Sequence, residues 1–241
     1  MNHEPIIGTV DPHDGRIHGL DALRGVLMML GVVLHTALVY APWGWFFTDW
    51  TATTPYLCFV FDSIHMFRMP AFFLLAGFFG AMLWQRRGPR SMLHNRFSRI
   101  VLPFFVFVLL LNPLEKFCFA FGHAVSNYES VPIHMALGEV FNQPLPGGTM
   151  HLWFLYHLMF VTVFMTILVS VWERMGWVWR GGLRVVRRVM ESPWLFVLVV
   201  GALNFVWCAM LQWDTLPTDA SWGLEQPEIL VYYTCSYALG W

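Results

Sequence analysis

The sequence predicts an all-α, polytopic transmembrane helix bundle. Hydrophobic residues make up 57% of its 241 residues and charged residues only 12%, which is about half the charged fraction of a typical soluble domain. The mean hydropathy is +0.56. Six apolar segments follow one another along the chain, most of them long enough to cross a bilayer. These observations indicate a membrane protein with about six spans.

The first three predicted spans differ in quality. The first follows a polar tail, 1–19, that shows no cleavable signal pattern, so we interpret it as a retained span. The second is long, and Met69-Pro70 predicts a kink in it. The third is the weakest, because Asn112-Pro113 and Glu115-Lys116 interrupt its apolar run. The six predicted segments are 20–41, 56–84, 100–121, 151–171, 194–213 and 229–241.

The sixth predicted span reaches Trp241, where the printed sequence stops. A helix that ends inside the bilayer leaves its last carbonyl groups unsatisfied. We therefore expect residues 20–241 to form a transmembrane domain that is incomplete at its C-terminal end, preceded by a cytoplasmic tail over 1–19.

The distribution of basic residues predicts the orientation. Ten of the fourteen Lys and Arg residues lie in the second and fourth connections between spans, and the positive-inside rule places these connections and the N-terminus in the cytoplasm. This arrangement also supports the weak third span, since without it the two connections would face opposite sides. The ten residues are Arg86, Arg87, Arg90, Arg96, Arg99, Arg174, Arg180, Arg184, Arg187 and Arg188.

Two ionisable residues, Arg24 and His35, lie within the first predicted span. Eleven residues make about three helical turns, so the two side chains share one helix face and lie ~16 Å apart along the axis. Burying such groups in hydrocarbon costs several kcal/mol, so we expect them to have partners or a function.

The second predicted span carries Asp62, His65 and Arg68 at steps of three residues, which keeps them near one face of a helix. His35 and Asp62 are expected at similar depth, in the outer halves of adjacent spans. A carboxylate beside an imidazole makes a general-base pair. Arg68 and Arg24, deeper toward the cytoplasm, would neutralise Asp62 or hold an anionic donor or substrate.

Two further features have two interpretations each. Arg96 and Arg99 open the third span, either as a phosphate clamp at a helix N-terminus or as ordinary cytoplasmic anchors. His151 opens the fourth span on the outer side, where it faces an external substrate or simply lies at the interface. The four cysteines lie in apolar runs without metal-ligand spacing, so we expect no metal site.

Three short patterns in this order resemble the integral-membrane acyltransferase 3 family. They are an Arg and a His with ten residues between them, Arg24 and His35; a Ser-Gly-Phe type motif, here Ala76-Gly77-Phe78-Phe79; and Arg-x-x-Arg, here Arg96 and Arg99. Ala76 stands where the family has Ser, so a role for that hydroxyl is absent. The stretches 62–69 and 151–155 look like the branch of the family that is associated with succinyl transfer onto periplasmic glucans.

The resemblance implies an O-acyltransferase in the bacterial inner membrane. The donor would be a cytoplasmic acyl-CoA, acetyl or succinyl, acting as a co-substrate rather than a tightly bound cofactor. The acceptor would be a hydroxyl of a periplasmic or cell-surface glycan; the other partner is the lipid bilayer, and no nucleic acid is expected. We expect catalytic roles for His35, Arg24, Asp62 and His65 and substrate-binding roles for Arg68, Arg96, Arg99 and His151.

Two other functions use the same residues. A proton- or anion-coupled transporter would use the polar stripe as a path for its solute. A non-catalytic membrane assembly partner would suit the short chain. Acylation of an acceptor by the purified protein separates the enzyme from both.

Overall fold

The structure is a computed structural model that describes residues 18–42, 51–127, 133–142, 148–175, 192–211, 222 and 226–241. Every regular element in these ranges is a helix, which confirms the predicted all-α class. Residues 1–17 of the polar tail, four of the ten arginines (Arg180, Arg184, Arg187 and Arg188) and parts of the predicted outer connections lie outside the described residues.

Seven α-helices account for most of the described chain. A π-helical segment, Phe97–Val101, links α2 to α3, and a 3₁₀ turn, Met150–Leu152, precedes α5. The α4 helix lies in a stretch that the sequence did not predict to be helical. The helices are α1 His18–Tyr40, α2 Tyr56–Arg96, α3 Leu102–Asn127, α4 Ile133–Asn142, α5 Trp153–Met175, α6 Pro193–Leu211 and α7 Pro227–Gly240.

Among the residues that the structure describes, three helical stretches are long and apolar enough to cross a membrane: His18–Tyr40, Tyr56–Gly122 and Met150–Arg174. The middle stretch has 67 residues and contains both the second and the third predicted spans. A straight helix of that length would measure about 100 Å, against about 30 Å of hydrocarbon. The α7 helix, with 14 residues, is only about 21 Å long.

The long middle stretch is broken at Gly88, 18 residues beyond Pro70, where the sequence predicts a kink. Gly88 has φ 78° and ψ 171°, and it is the residue of α2 with non-helical backbone. Glycine adopts this positive φ without a Cβ clash, and Pro89 then restarts the helix with its own fixed φ. The chain turns back here, so that the end of α2 lies against the middle of the same helix.

The α2 helix is the centre of the described bundle and packs against α1, α5 and α7. Phe73 is fully buried; its ring stacks on Tyr233 with centroids 4.4 Å apart, and Phe154 meets it edge-on at 4.9 Å. Each such aromatic pair contributes about 0.5–1.5 kcal/mol beyond the area it buries. The outer face of α1 instead exposes large apolar side chains, as expected of a lipid-facing helix: Val26, Met28, Met29, Val32 and Val33.

Glycines allow α2 and α7 to approach closely. A Cβ on Gly77 would lie closer than 3.0 Å to the backbone oxygen of Tyr237, and one on Gly240 equally close to that of Leu74. Small residues at such contacts let two membrane helices pack backbone against backbone. This seam, formed by Gly77, Gly240 and the backbone opposite each, determines where the side chains of α7 lie relative to α2.

The α3 and α5 helices pack antiparallel to each other. Phe104 and Val108 contact the region of Tyr156, while Asn112, further along α3, donates a hydrogen bond of 3.1 Å from its amide nitrogen to the Gly148 carbonyl. The helix continues through Pro113. The polar residues that seemed to interrupt the third span therefore lie at the level where α5 begins.

Candidate active site

Two histidines from different segments meet near the C-terminal end of α1. The rings of His35 and His151 lie with centroids 5.3 Å apart and planes tilted by 58°. His151 belongs to the 3₁₀ turn before α5, and its Nδ1 contacts the Glu115 carboxylate of α3. Three segments that are far apart in the sequence thus form a chain of carboxylate, imidazole and imidazole.

Glu115 is the site residue that the sequence analysis missed. We interpreted Glu115-Lys116 only as an interruption of the third span, although a carboxylate within an apolar span is by default a candidate functional residue. Its side chain is 20% exposed, whereas that of His151 is 48% exposed. The Glu115 carboxylate is therefore the more buried member of the pair, and the His151 imidazole is the more exposed one.

Arg68 and His65 join the same site from α2. The Arg68 guanidinium lies against Gly31 of α1, where no Cβ obstructs it. It lines a groove of about 580 Å³ together with His35. His65 lies within electrostatic range of Arg68 and His35. Its ring stacks on that of Phe61, with centroids 5.2 Å apart. The structure therefore brings together four of the predicted residues: His35, His65, Arg68 and His151.

Asp62 is not joined to this group. One of its carboxylate oxygens, Oδ1, is inaccessible to solvent, and within the described residues it has no hydrogen-bond partner. No ion pair or hydrogen bond links it to His35 or Arg68 in this part of the chain. The carboxylate that contacts the imidazole pair is Glu115, through the Nδ1 of His151.

Arg24 lies in a second, separate group. Its guanidinium stands 3.9 Å from the centroid of the Phe79 ring and 3.8 Å from the Asp21 carboxylate. The positive charges of Arg96 and Arg99 are both within electrostatic range of the Arg24 guanidinium. The carboxylate beside Arg24 is Asp21 rather than Asp62, and Phe79, on which Arg24 stacks, lies 17 residues beyond Asp62 on α2, about 25 Å of helix.

The three sequence patterns meet in this second group. Arg24 of the first pattern stacks on Phe79 of the second, and Arg96 of the third donates a 2.6 Å hydrogen bond to the Ala76 carbonyl. Arg99 lies on the π-helical segment and is exposed. Such segments occur often at functional sites. We call Arg24, Arg96 and Arg99 the arginine cluster.

The two groups of residues are separated along α2. Arg68 and Ala76 are eight residues apart, which is about 12 Å of helix. Metal binding has no support in the described ranges, where no three His, Cys, Asp or Glu side chains are grouped to hold an ion. The arrangement offers acid-base chemistry at one end and anion binding at the other.

Comparison with known proteins gives a family match. The model of the acyltransferase domain family matches residues 17–241. Glucans biosynthesis protein C of Escherichia coli (strain K12) is 30% identical over 159 residues, which are 66% of this chain and 40% of that protein. Its namesake in Shigella dysenteriae serotype 1 (strain Sd197) has the same values. The namesake in Salmonella typhi is 31% identical over 147 residues, 61% of this chain and 37% of that protein.

The aligned part of the chain spans about two fifths of the length of these curated relatives. No solved structure matches the chain.

Proposed function

This chain belongs to the acyltransferase domain family, and from that premise we propose that it is a membrane-embedded O-acyltransferase. It transfers an acetyl or succinyl group from a cytoplasmic acyl-CoA-type donor to a hydroxyl of an extracytoplasmic glycan. The observation that carries the proposal is the pairing of His35 with His151 and Glu115 at one end of α1, with the arginine cluster at the other. The relatives' name, glucans biosynthesis protein C, favours a glucan as the acceptor.

The membrane orientation that we propose follows from the positions of the arginines. A hydrogen bond of 3.1 Å from the Trp84 indole to the Glu173 carboxylate joins α2 to α5 at one end of the bundle. The described arginines of the two basic connections lie at that same end: Arg86, Arg87, Arg90, Arg96, Arg99 and Arg174. With that end in the cytoplasm, His35 and His151 open to the outside of a bacterial inner membrane. The N-terminal tail over 1–19 is then cytoplasmic, and residues 20–241 form a transmembrane domain of six spans.

His35 acts as the general base in this mechanism. The acceptor hydroxyl enters from the outer side, donates its proton to the His35 ring, and its oxygen attacks the thioester carbonyl carbon. The tetrahedral intermediate expels the CoA thiolate, which takes the proton from the imidazolium to leave as the thiol. Arg68, which shares the groove with His35, stabilises the developing oxyanion.

Glu115 compensates an electrostatic conflict at this site. An imidazolium at His35 would lie beside the Arg68 cation, and like charges at close range disfavour the protonated ring. The Glu115 carboxylate, acting through His151, supplies the opposite charge. His65 extends the imidazole group on the α2 side. A catalytic role of Asp62 stays a prediction, without a contact to support it.

The acyl-CoA donor reaches from the arginine cluster to the imidazoles around His35. Phosphates bind at the arginine cluster, and the thioester reaches the imidazoles about 12–16 Å away. A donor with a long flexible arm between phosphate and thioester, as in acyl-CoA, suits this separation. The acyl-CoA is consumed as a co-substrate, so no tightly bound cofactor is required.

The decisive experiment uses purified protein in proteoliposomes. Acetyl-CoA or succinyl-CoA, labelled in the acyl group, is supplied on the arginine side, and isolated glucans on the other side. We expect ester-linked label on the glucan, detected after separation of the glucan from free acid. Label that crosses the membrane without modifying the glucan would identify a transporter, and unmoved, untransferred label would favour an assembly partner.

Replacing Glu115 by glutamine tests whether the charge of its carboxylate contributes to catalysis. We expect kcat to fall by about 10- to 100-fold, because the imidazolium formed in the reaction loses its counter-charge. The KM for the donor should change little, since the donor phosphates bind at the other end of the site. Glu173→Gln is the matched control, because Glu173 bonds Trp84 far from the imidazoles. An unchanged kcat in Glu115→Gln would remove this residue from the mechanism.

Replacing Gly31 by alanine tests the position of Arg68. The added Cβ would lie closer than 3.0 Å to the guanidinium, whose flexible side chain can move away, so we expect the fold to persist and Arg68 to leave the groove. The rate should fall by about tenfold or more as the oxyanion loses a donor. Gly25→Ala on the same helix, with no neighbour within 4 Å, should keep full activity. Equal activities of the two variants would contradict the role of Arg68.

A further inference from the structure

One face of α3 changes from apolar to polar where it reaches the segment that carries His151, residues 148–152, which we call the His151 turn. Four residues of this face follow one another at steps of four, four and three, which keeps them in line on a helix. The first two pack in the cluster around Tyr156, and the last two contact the His151 turn. In chain order they are Phe104, Val108, Asn112 and Glu115. The face that packs α3 against α5 therefore also makes both polar contacts to the turn.

Asn112 makes a buried contact to the beginning of the His151 turn. Its side chain is 4% exposed, and its Nδ2 donates a hydrogen bond of 3.1 Å to the carbonyl oxygen of Gly148, which is also buried. Because a buried carbonyl that loses its donor is costly, this bond holds the beginning of the turn at one place on α3. The other end of the turn runs directly into α5, which the edge-on contact of Phe154 with Phe73 fixes in the core.

The backbone of the His151 turn is strained between these two fixed ends. Met150 has a φ of 46°, and it is the one residue other than glycine with a positive φ in the part of the chain that the structure describes. Residues with a Cβ seldom adopt this conformation, which persists only where the surrounding structure holds it. Without the bond from Asn112, Met150 is free to relax to a negative φ, and the side chain of the next residue, His151, then turns away from its neighbours.

His151 depends on the turn for its position. Its ring centroid lies 5.3 Å from that of His35, and its Nδ1 contacts the Glu115 carboxylate, but its side chain is 48% exposed. Burial therefore does not confine the ring, and a small movement of the turn would separate it from both neighbours. A displacement of about 1 Å in an active site can lower the rate by about 100-fold.

We infer that Asn112 is a positioning residue of the active site: by binding the Gly148 carbonyl it holds the strained turn so that His151 lies between Glu115 and His35. This inference rests on the proposed function, because it assigns a further residue to the same imidazole site. Asn112 acts only through His151, so its replacement should affect the chemical step and leave binding of the donor unchanged.

Asn112→Leu, which has a side chain of similar size but no donor, tests the inference by its effect on acyl transfer. We expect kcat to fall about tenfold and the KM for acyl-CoA to stay within about twofold, because the donor phosphates bind at the arginine cluster. Asn204→Leu is the matched control. The Asn204 amide nitrogen bonds to the Val200 carbonyl at 2.7 Å, and its Oδ1 accepts a hydrogen bond from the Tyr232 hydroxyl, so its replacement removes hydrogen bonds of α6 and α7. That variant should unfold at a lower temperature and keep the wild-type kcat per folded protein.

A double-mutant cycle separates positioning from a general loss of stability. In Glu115→Gln the charge that acts through His151 is already absent. Asn112→Leu should therefore lower kcat by less than about threefold in that background, since residues that act through one group are not additive. An asparagine that only stabilises the fold would lower kcat by the same factor in both backgrounds.

A second measurement follows His151 directly, without acyl transfer. Diethyl pyrocarbonate modifies accessible imidazoles, and mass spectrometry of peptides gives the rate of modification at each histidine. In Asn112→Leu we expect His151 to react about threefold faster or more, relative to His94, as the ring leaves its two contacts. His94 is an exposed histidine on the turned-back end of α2 and serves as the internal reference. Asn204→Leu should leave the ratio of the two rates unchanged.

Two results would overturn the inference. One is a wild-type kcat in Asn112→Leu, or a loss of kcat that is equally large in the Glu115→Gln background. The other is a rate of modification of His151 that Asn112→Leu does not change. If the wild-type protein transfers no acyl group, the proposed function is wrong, and the modification rates alone then decide whether Asn112 positions His151.

Discussion

Replacing His35 by alanine is expected to reduce acyl transfer by about 10²- to 10⁴-fold, the usual contribution of a general base. The ring stands 5.3 Å from His151 and lines the groove with Arg68, where the proposed mechanism places the acceptor hydroxyl. The variant should still insert into the membrane, because the apolar run of α1 is unchanged. Transfer of labelled acyl groups to glucan, normalised to the amount of protein in the membrane, is the measurement.

His18→Ala is the matched control for this variant. His18 is the first residue of α1, is exposed, and lies far from the imidazole pair along the same helix. It should retain wild-type transfer. If His35→Ala transfers at a near-normal rate while it is present in the membrane in normal amounts, the imidazole is not the base and the mechanism fails.

Replacing Gly77 by alanine is expected to cause the largest loss of stability. The new Cβ would meet the backbone oxygen of Tyr237 closer than 3.0 Å and the backbone nitrogen of Trp241 at 3.2 Å. Backbone atoms of a packed helix cannot swing aside as a long side chain does, so α7 must shift as a whole. Overpacking of this kind costs typically about 1–3 kcal/mol, and we expect a clearly lower unfolding temperature in detergent.

Gly201→Ala in α6 provides the comparison, because an added Cβ there has no neighbour within 4 Å. We expect it to unfold at or slightly above the wild-type temperature, since alanine is the better helix former. Gly240→Ala should behave like Gly77→Ala, as its Cβ would meet the Leu74 backbone oxygen. Indistinguishable unfolding of the Gly77 and Gly201 variants would show that the seam is not tightly packed.

Much of the site could be anticipated because membrane burial makes ionisable residues conspicuous. His35, His65 and Arg68 are conspicuous for this reason and His151 for its place at the start of the fourth predicted span, and the structure groups the four. The partner carboxylate could not be chosen in the same way. Asp62 has the appropriate spacing on its own helix, but spacing does not reveal how far that helix is rotated about its axis relative to α1.

The arginine cluster illustrates a second limit. The sequence shows Arg96 and Arg99 three residues apart and suggests one shared role. The chain break at Gly88 instead turns the segment back against Ala76, where Arg96 becomes half-buried and Arg99 stays exposed. The direction of a returning segment depends on backbone torsions and on α7, 140 residues further along.

The sequence by itself determined the class of the protein, its helical segments and the ionisable residues of interest, because length, hydropathy and charge are local properties. Only the tertiary structure decided that Glu115, not Asp62, contacts the imidazole pair, and that Arg96 bonds to the Ala76 carbonyl while Arg99 stays exposed. Such contacts depend on the rotation and depth of helices packed against one another. Those quantities are set by the sum of many side-chain contacts rather than by any residue's neighbours in the chain.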